Sequence, residues 1–567
     1  MMSLGELISV ARGDSPADLL LKNARIINTF IGAIEEGDVA IYDGRIAGVG
    51  KYQQAKEVID LKGSYLAPGL INGHTHIESS MLHPVQYAQA VVPRGTSTLI
   101  TDLHEIANVA GFEGIEFVMN WARKLPLDMF FMAPSCVPAT HMETSGAEFD
   151  AQDIKSVLRR QGVIGLGEMM NFPGVIGGME QVLSKVVVAQ DRVIDGHAPG
   201  VGGKELNAYM AGGIYSDHET TTLEEGREKL GRGMHLMIRE GSSEKNLDTL
   251  LPLIDDRTYK RCLFVVDDRS CYDLLHEGDI DAVVRKAIQR GLEPVRAIQL
   301  ATINTAEYFR LYDRGGIAPG YVADLITIVD ISRLEIDRVF YRGRLVAEEG
   351  KPLYVSPDIL ASELSGTVNV KPFDIKALEL KIGGESFPVI EVVPDQIITK
   401  KRIEKVKIKD GVVVPDIERD ILKLVVMERH KASGNVGLGL VKGFGLKRGA
   451  LASSIAHDSH NIIAVGTSDL DIFTAIKEVE KMHGGLVVCS EGEVSMVLPL
   501  PVAGLLSPEP LEAVVDKFEN LERTVEGLGD IPPAPFALLS FMALPVIPEL
   551  RLTDLGLVDV LAFKLLE

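Results

Sequence analysis

Residues 65–80 read YLAPGLINGHTHIESS, and this stretch gives the first indication of the fold. A short apolar run, residues 65–71, is followed closely by His74 and His76, with Thr75 between them. Residues two apart on a β-strand point to the same side, so both imidazoles can bind one cation while Thr75 faces away. The stretch therefore predicts a buried strand whose carboxyl end carries metal ligands.

Apolar runs of strand length recur from this point to about residue 266, and segments with helical periodicity separate them. Repeated strand and helix units of this kind are typical of a closed parallel (β/α)8 barrel. Catalytic groups of such barrels lie at the carboxyl ends of the strands. The eight predicted runs are residues 65–71, 97–101, 129–133, 163–166, 192–194, 213–215, 235–238 and 262–266.

Potential metal ligands follow six of the eight runs. Imidazole nitrogen together with carboxylate oxygen suits Zn, Mn or Fe, whereas sites made only of oxygen suit Mg or Ca. A single acid at a strand end could equally cap a helix, but the conjunction of so many groups at one end of a barrel predicts a metal site. The groups are His74 and His76; Asp102, His104 and Glu105; Glu168; Asp195 and His197; Asp217, His218 and Glu219; and Asp267 and Asp268.

The segments on either side of the predicted barrel read as short strands with tight turns. Strands are predicted at residues 18–28, 37–42 and 45–49, and a similar pattern returns at residues 323–329, 337–341 and 344–347. The two pieces could pair into one β domain that the barrel interrupts. The predicted domains are residues 1–64 and 312–354 for the split β domain, 65–311 for the TIM-like (β/α)8 barrel, and 376–567 for a β-rich α+β C-terminal domain.

The composition of the 567-residue chain excludes several classes of protein. Hydrophobic residues make up 46% and charged residues 24%, as in globular proteins. Lys and Arg number 58 against 80 Asp and Glu, and the net charge of −22 opposes binding to nucleic acid. The sequence contains no long uncharged apolar stretch and no basic start followed by an apolar run, so we expect no membrane association and a cytoplasmic location.

Several longer strings resemble the adenine deaminase family of the metal-dependent amidohydrolase superfamily, and the resemblance extends along nearly the whole chain. It implies a metal-dependent (β/α)8 barrel inserted in a small β-sandwich. Leu103 and Arg94 stand where the family would have Pro and His, and neither is a predicted ligand. The strings are PGLINGHTHIESS at 68–80, DLHEIANVAG at 102–111, GEMMNFPG at 167–174, DGHAPG at 195–200, GGIYSDHETT at 212–221 and SIAHDSHNIIAVG at 454–466.

The resemblance also implies two divalent transition-metal ions per chain, Mn²⁺ or Fe²⁺, with Zn²⁺ as an alternative. Many relatives bridge their metals with a carboxylated lysine, whereas Glu168 supplies a carboxylate here without modification. This difference argues against the hydantoinase and dihydroorotase branches. The implied ligands are His74, His76 and Asp267 for the first metal, Glu168 as the bridge, and His197 and His218 for the second metal.

The function implied by the resemblance is hydrolytic deamination of adenine to hypoxanthine and ammonia. Two dications lower the pKa of a bridging water from 15.7 to about 7, which provides a hydroxide that can attack C6. Asp267 could carry the proton of that water to the leaving amine. The chain is acidic and has no phosphate loop, so we expect the free base to be preferred over AMP.

Ring N1 of adenine needs a separate acid, and the sequence leaves Glu78, Glu105 and Glu219 open for this role. Any of the three could instead form a hydrogen bond with a metal-ligating histidine. His104 and Asp268 are predicted to bind the substrate. An amidohydrolase acting on another aminopurine or a cyclic amide, and a scaffold without catalytic activity, remain as alternative functions.

The C-terminal region contains a second polar cluster, His457, Asp458 and His460, which follows an apolar strand. We predict that it contacts the mouth of the barrel or a partner subunit, and a third metal site is the alternative. The Gly-rich residues 435–449 lack a phosphate-binding fingerprint. The predicted partners are a small-molecule substrate, adenine, and further copies of the chain in a homo-oligomer, as a dimer or larger.

Overall fold

A computed structural model describes residues 3–359, 363–393 and 397–566. The first element is a helix that lies outside the predicted strands, α1 (Leu4–Ala11). The Ser3 side chain caps it, and its buried residues Leu7 and Val10 anchor it to the β module. The strands that follow are β1 (Ala17–Asn28), β2 (Ala33–Tyr42), β3 (Arg45–Gly50), β4 (Ala55–Asp60) and β5 (Tyr65–Pro68).

The predicted barrel forms, but its first predicted run is divided between two sheets. Residues 65–68 of that run are strand β5 of the β module, and the barrel strand begins at Leu70. Gly69 lies between them, where a Cβ atom would approach Ser97 Oγ to 2.2 Å. The barrel strands are β6 (Leu70–His76), β7 (Thr96–Asp102), β8 (Asp128–Ala133), β9 (Val163–Met169), β10 (Val193–Gly196), β11 (Ser216–Asp217), β12 (His235–Arg239), β13 (Cys262–Val265) and β14 (Asp267–Asp268).

Parallel pairing joins these strands into two sheets, and the two sheets together form the ring of the barrel. The strands β6 to β10 pair in sequence order, β11 pairs with β12, and β12 pairs with β13. The chain continues from β13 into β14, which pairs with β6. Between β10 and β11, the backbone N–H of Gly196 donates a hydrogen bond to Ser216 Oγ at 3.1 Å. The carboxyl ends of all these strands therefore meet at one end of the barrel.

The sixth predicted run, residues 213–215, was misplaced. Gly212 ends the preceding helix, and Gly213 has a φ of +93°, which is a turn conformation that favours glycine. The strand β11 begins only at Ser216. The short apolar run is therefore the turn and loop that precede the strand rather than the strand itself.

Helices cover the outside of the barrel and bury one apolar face each. Within the described ranges, no helix is long and apolar enough to cross a membrane. The helices that accompany the barrel strands are α2 (Pro84–Val91), α3 (His104–Ala122), α4 (Ala151–Leu158), α5 (Phe172–Ile176), α6 (Glu180–Val187), α7 (Gly203–Ala211), α8 (Leu223–Gly231), α9 (Leu247–Leu250), α10 (Cys271–His276), α11 (Ile280–Gln289), α12 (Pro294–Leu300) and α13 (Ile303–Tyr308).

The β module consists of two pieces of chain, one before and one after the barrel in the sequence, and these two pieces pair with each other. The second piece contains β15 (Leu325–Asp330), β16 (Glu335–Tyr341), β17 (Arg344–Glu348) and β18 (Lys351–Pro352). Strand β15 pairs with β5, which gives one sheet in the order β18-β17-β16-β15-β5-β1-β2-β3, with β4 beside β1. Ile46 N donates to Tyr321 O at 2.9 Å and brings β3 back towards β15. The sheet thus packs against two apolar clusters, one of which includes helix α1.

The C-terminal region forms one eight-stranded sheet in the order β20-β19-β24-β23-β26-β25-β27-β28, with helices on it and two small additional sheets. Its strands are β19 (Ser386–Val392), β20 (Thr399–Lys405), β21 (Lys407–Lys409), β22 (Val412–Val414), β23 (Ile421–Met427), β24 (Val436–Lys442), β25 (Ala450–Ser453), β26 (Ile462–Gly466), β27 (Gly485–Ser490), β28 (Glu493–Pro499), β29 (Leu550–Thr553), β30 (Gly556–Asp559) and β31 (Lys564–Leu565). Its helices are α14 (Asp469–Lys481), α15 (Leu511–Glu526) and α16 (Pro535–Phe541).

The C-terminal region lies against the barrel at the end where the strands finish. Ser507 N donates to Met81 O at 2.8 Å, just after β6, and Thr144 N donates to Asp554 Oδ1 at 2.9 Å. Asn461 Nδ2 also donates to Thr144 O at 2.8 Å. These contacts hold the loop between β25 and β26, residues 454–461, over the mouth of the barrel.

Candidate metal centre

The six residues predicted as metal ligands meet at the carboxyl end of the barrel. The strands β6, β9 and β14 carry four of them directly, and the loops after β10 and β11 carry the other two. Every one of these side chains is buried, with no residue more than 4% exposed. The six are His74, His76, Glu168, His197, His218 and Asp267.

Glu168 lies at the centre of this group, with each carboxylate oxygen facing a different pair of imidazoles. Its Oε1 is 3.2 Å from His76 Nε2 and 3.7 Å from His74 Nε2. Its Oε2 is 2.7 Å from His197 Nδ1 and 3.2 Å from His218 Nε2. A carboxylate placed in this way can be shared between two cations.

Asp267 closes one side of the group and is itself held by an arginine that the sequence did not indicate. Its Oδ1 is 3.3 Å from His74 Nε2 and 3.2 Å from His76 Nε2, while its Oδ2 accepts a hydrogen bond from Arg239 Nη1 at 2.7 Å. Arg239 also binds both oxygens of Glu219. Arg239 ends strand β12, so its position directly after the seventh predicted run was the available signal.

The charges and unpartnered atoms of the group fit divalent cations. Burial lowers the pKa of His74, but the adjacent carboxylates Asp267 and Glu168 outweigh it and raise that pKa to about 10. The group therefore attracts positive charge strongly. Among the described residues, His74 Nε2, which faces Glu168 and Asp267, is buried without a hydrogen-bond partner. Imidazoles and carboxylates without a thiolate suit Mn, Fe or Zn.

Asp102, which was grouped with the potential ligands, orients the backbone instead. Its Oδ2 accepts from Glu168 N at 2.8 Å, and its Oδ1 accepts from His104 N at 3.2 Å. Gly167 makes this contact possible, because a Cβ at that position would lie 2.0 Å from Asp102 Oδ2. Asp102 thus fixes the strand end that presents Glu168.

Lys229 ties together the two loops that carry His197 and His218. Its Nζ is completely buried and donates to Ala198 O at 2.8 Å and to Asp217 Oδ2 at 2.9 Å. Ala198 N donates in turn to Asp217 Oδ1 at 2.8 Å. The sequence analysis missed Lys229, since a lysine in a helix after a strand has no pattern that distinguishes it from a solvent-exposed one.

We expect Lys229→Met to lower the free energy of unfolding by about 3–5 kcal/mol, because it leaves the buried Asp217 carboxylate without its cation. Guanidinium unfolding would measure the change. Lys204→Met is the matched control, since Lys204 is an exposed lysine of α7. Equal unfolding midpoints for the two variants would show that the buried lysine contributes nothing to stability.

The three candidate acids differ in their partners. Both oxygens of Glu219 are bound by Arg239, and Glu105 is bound by histidines of the C-terminal region. Glu78 Oε1 accepts from Ile106 N at 3.2 Å, and within the described chain no cationic side chain forms an ion pair with it. Burial and the nearby Glu105 carboxylate raise the pKa of Glu78 to about 7.

His104 and Asp268, predicted as substrate-binding residues, both lie beside the metal ligands. His104 Nε2 is 3.3 Å from Glu105 Oε1, and His104 Nδ1 is 3.9 Å from Glu168 Oε1. Asp268 accepts a hydrogen bond from Ser79 Oγ and lines a cavity of about 280 Å³ between the barrel and the C-terminal region. Asp268 is therefore placed beside a space that a small ligand can enter.

The polar cluster of the C-terminal region contacts the barrel of the same chain. His457 Nδ1 is 2.8 Å from Glu105 Oε1, and His460 Nε2 forms a hydrogen bond with Glu105 Oε2. Asp458 Oδ2 is 3.8 Å from His104 Nε2. The C-terminal region therefore contributes side chains directly beside the candidate metal centre.

Comparisons with known proteins agree with this architecture. A model of the amidohydrolase family matches residues 65–346, and a model of the adenine deaminase C-terminal domain matches residues 396–564. An adenine deaminase of Dehalococcoides mccartyi is 60% identical over 564 residues, which cover 100% of this chain and 99% of that protein.

Two further relatives are more distant. Adenine deaminase 2 of Carboxydothermus hydrogenoformans is 47% identical over 565 residues, covering 100% of this chain and 99% of that protein. An adenine deaminase of Halalkalibacterium halodurans is 45% identical over 569 residues, covering 99% of this chain and 97% of that protein. These matches confirm the resemblance seen in the sequence strings. The chain belongs to the adenine deaminase family of the amidohydrolases.

Proposed function

We propose that this chain catalyses the hydrolytic deamination of adenine to hypoxanthine and ammonia. The observation that carries the proposal is the position of Glu168, whose two oxygens face two separate pairs of imidazoles. Membership of the adenine deaminase family and the adenine deaminase activity named for its relatives support adenine as the substrate.

The proposed ligand set divides between two divalent ions that share Glu168. His74, His76 and Asp267 would hold one ion, and His197 and His218 would hold the other. Such ions supply Lewis acidity, which makes water acidic enough to act as a nucleophile near neutral pH. The nitrogen and oxygen donors suit Mn²⁺, Fe²⁺ or Zn²⁺, and the family resemblance favours Mn²⁺ or Fe²⁺.

The side chains of the site would move the protons that the reaction requires. Water adds its oxygen to C6 of adenine, and the C6 amine leaves as ammonia. We assign the removal of the water proton to Asp267 Oδ1, because Arg239 occupies Oδ2. Asp267 would then deliver this proton to the leaving amine. The second proton of the water leaves the C6 oxygen as the carbonyl of hypoxanthine forms, and it balances the proton that ring N1 takes up.

Glu78 is the proposed acid at ring N1. Glu219 binds Arg239, and Glu105 binds His457 and His460, whereas Glu78 has a backbone N–H as its partner. A carboxyl group without a cationic partner keeps its proton more readily in a buried site. Glu78 is therefore the best placed of the three to donate.

The experiment is an ultraviolet and ammonia-release assay of metal-reconstituted protein with adenine, adenosine and AMP. We expect conversion of adenine, with release of one ammonia for each base consumed, and little or no conversion of AMP. Ammonia release from another aminopurine but not from adenine would contradict the proposal and favour the alternative substrate class. The predicted homo-oligomer is a separate proposal that analytical ultracentrifugation would test.

A further inference from the structure

The loop at residues 454–461 places an imidazole of the C-terminal region at a cavity between this region and the barrel. His457 is only 7% exposed, and its Nδ1 lies 2.8 Å from Glu105 Oε1. Its ring stacks on Phe541, with 4.8 Å between ring centroids and 21° between the planes. Glu105 and Phe541 together fix both the position and the tilt of the ring.

A hydrogen-bonded partner fixes Glu105 from the other side. His460 Nδ1 accepts from Ala456 N at 3.2 Å, so the hydrogen of the neutral ring lies on Nε2. That Nε2 donates to Glu105 Oε2. A nitrogen that carries a hydrogen cannot coordinate a metal, so this arrangement argues against the alternative of a third metal site and in favour of a hydrogen-bonded support for Glu105.

The contact with Glu105 leaves one ring nitrogen of His457 for a ligand. A carboxylate oxygen accepts, so Nδ1 carries a hydrogen, and among the described residues no partner takes Nε2. Burial lowers the pKa of His457, but Glu105 and other adjacent carboxylates outweigh it and raise that pKa to about 10. Nε2 is therefore the ring nitrogen that is available to a ligand.

His457 lines the cavity of about 280 Å³ between the barrel and the C-terminal region. On the barrel side, the cavity is lined by Asp268, which directly follows Asp267 on β14, and by Ser79. On the opposite side, the rings of Phe536 and Phe541 provide apolar surface. Apolar faces with a few polar groups at the edges suit a flat, neutral heteroaromatic ring.

We propose that His457 is a substrate-binding residue that forms a hydrogen bond through Nε2 with a purine base held in this cavity. Glu105 and His460 are then positioning residues, because they act on the ligand only through the orientation of His457. This inference rests on the proposed function for the identity of the base. It gives the C-terminal region a direct part in substrate recognition.

The first test replaces His457 by Leu, which keeps a side chain of similar length but removes both nitrogens. Loss of this hydrogen bond leaves a buried polar atom of the base unpaired, which should raise both KM for adenine and the Kd of hypoxanthine about 10- to 100-fold. Steady-state kinetics and isothermal titration calorimetry would measure these values on protein with equal metal content. His483→Leu is the control, since His483 is an exposed histidine of the same region.

The second test separates positioning from direct contact. Glu105→Gln and His460→Gln should each weaken hypoxanthine binding less than His457→Leu does. The double variant should bind no more weakly than Glu105→Gln alone, because His460 acts through Glu105. Fully additive effects of the two substitutions would contradict this chain of contacts.

The proposal is overturned if His457→Leu binds hypoxanthine as tightly as His483→Leu, with both variants folded and metal-loaded. Failure of the proposed function looks different. In that case the unsubstituted protein would not deaminate adenine, whereas the binding measurements would still report directly on whether His457 contacts a purine.

Discussion

Asp267→Asn is expected to lower turnover of adenine about 10²- to 10⁴-fold, because the substitution removes the base while keeping an oxygen at the same place. Asp267 has a φ of +59°, in a left-handed conformation that Asn adopts as readily as Asp. The backbone of β14 should therefore be preserved. Turnover measured together with elemental analysis would show whether metal is retained while the chemistry is lost.

Asp256→Asn is the matched control for this prediction, since the Asp256 side chain is 89% exposed. Near-normal turnover of the Asp267 variant with both metals bound would show that another group carries the proton. Asp268 would then be tested first, because it is the next residue and lines the cavity. A loss of turnover in Asp268→Asn but not in Asp267→Asn would reverse the present assignment.

Glu168→Gln is expected to abolish the sharing of one side chain between two cations. One oxygen of the carboxylate becomes an amide NH₂ group, which donates hydrogen bonds and cannot bind a cation. One of the two imidazole pairs, His74 with His76 or His197 with His218, then loses its shared oxygen. We expect metal content to fall from about two ions per chain, and turnover to fall at least about 100-fold.

Metal content by elemental analysis and turnover should be measured on the same sample of the Glu168 variant. Glu180→Gln, an exposed glutamate of α6, is the control for the change in charge. Two ions per chain with undiminished turnover in the Glu168 variant would show that this carboxylate does not bridge. Restoration of turnover by a large excess of metal would show that the substitution weakens the affinity for the metal, as the proposal requires.

The ligand group could be found from the sequence because a parallel barrel imposes a simple rule. Every strand of the ring ends at the same face, so acids and histidines that directly follow apolar runs are brought together without knowledge of any tertiary contact. His74 and His76 add the two-residue period of the strand, which places both rings on one side. The rule does not indicate Arg239, because a guanidinium group has no acceptor atom and does not bind a cation.

The predicted boundaries of a strand are wrong where a continuous apolar run in the sequence is divided between two different strand partners. Residues 65–71 form one continuous apolar run, but hydrogen bonding assigns Tyr65–Pro68 to the β module and Leu70–His76 to the barrel. The change of partner occurs at Gly69, whose close approach to Ser97 depends on a strand about 30 residues later in the chain. Apolar periodicity contains no information about that partner.

The division of six residues between two ions is what the family resemblance implies. The barrel, the split β module and the set of acids and histidines at the strand ends follow from periodicity and from the positions of charged groups along the chain. These features depend on neighbours in sequence, or on a rule that applies to every strand of the barrel. The hydrogen-bond partners of the buried side chains cannot be read from the sequence in this way. Glu78, Glu105 and Glu219 look alike in the sequence, and they become different only because Arg239 binds one and His457 binds another. His457 lies 352 residues from Glu105, and only the packing of the C-terminal region on the barrel brings so distant a pair into contact.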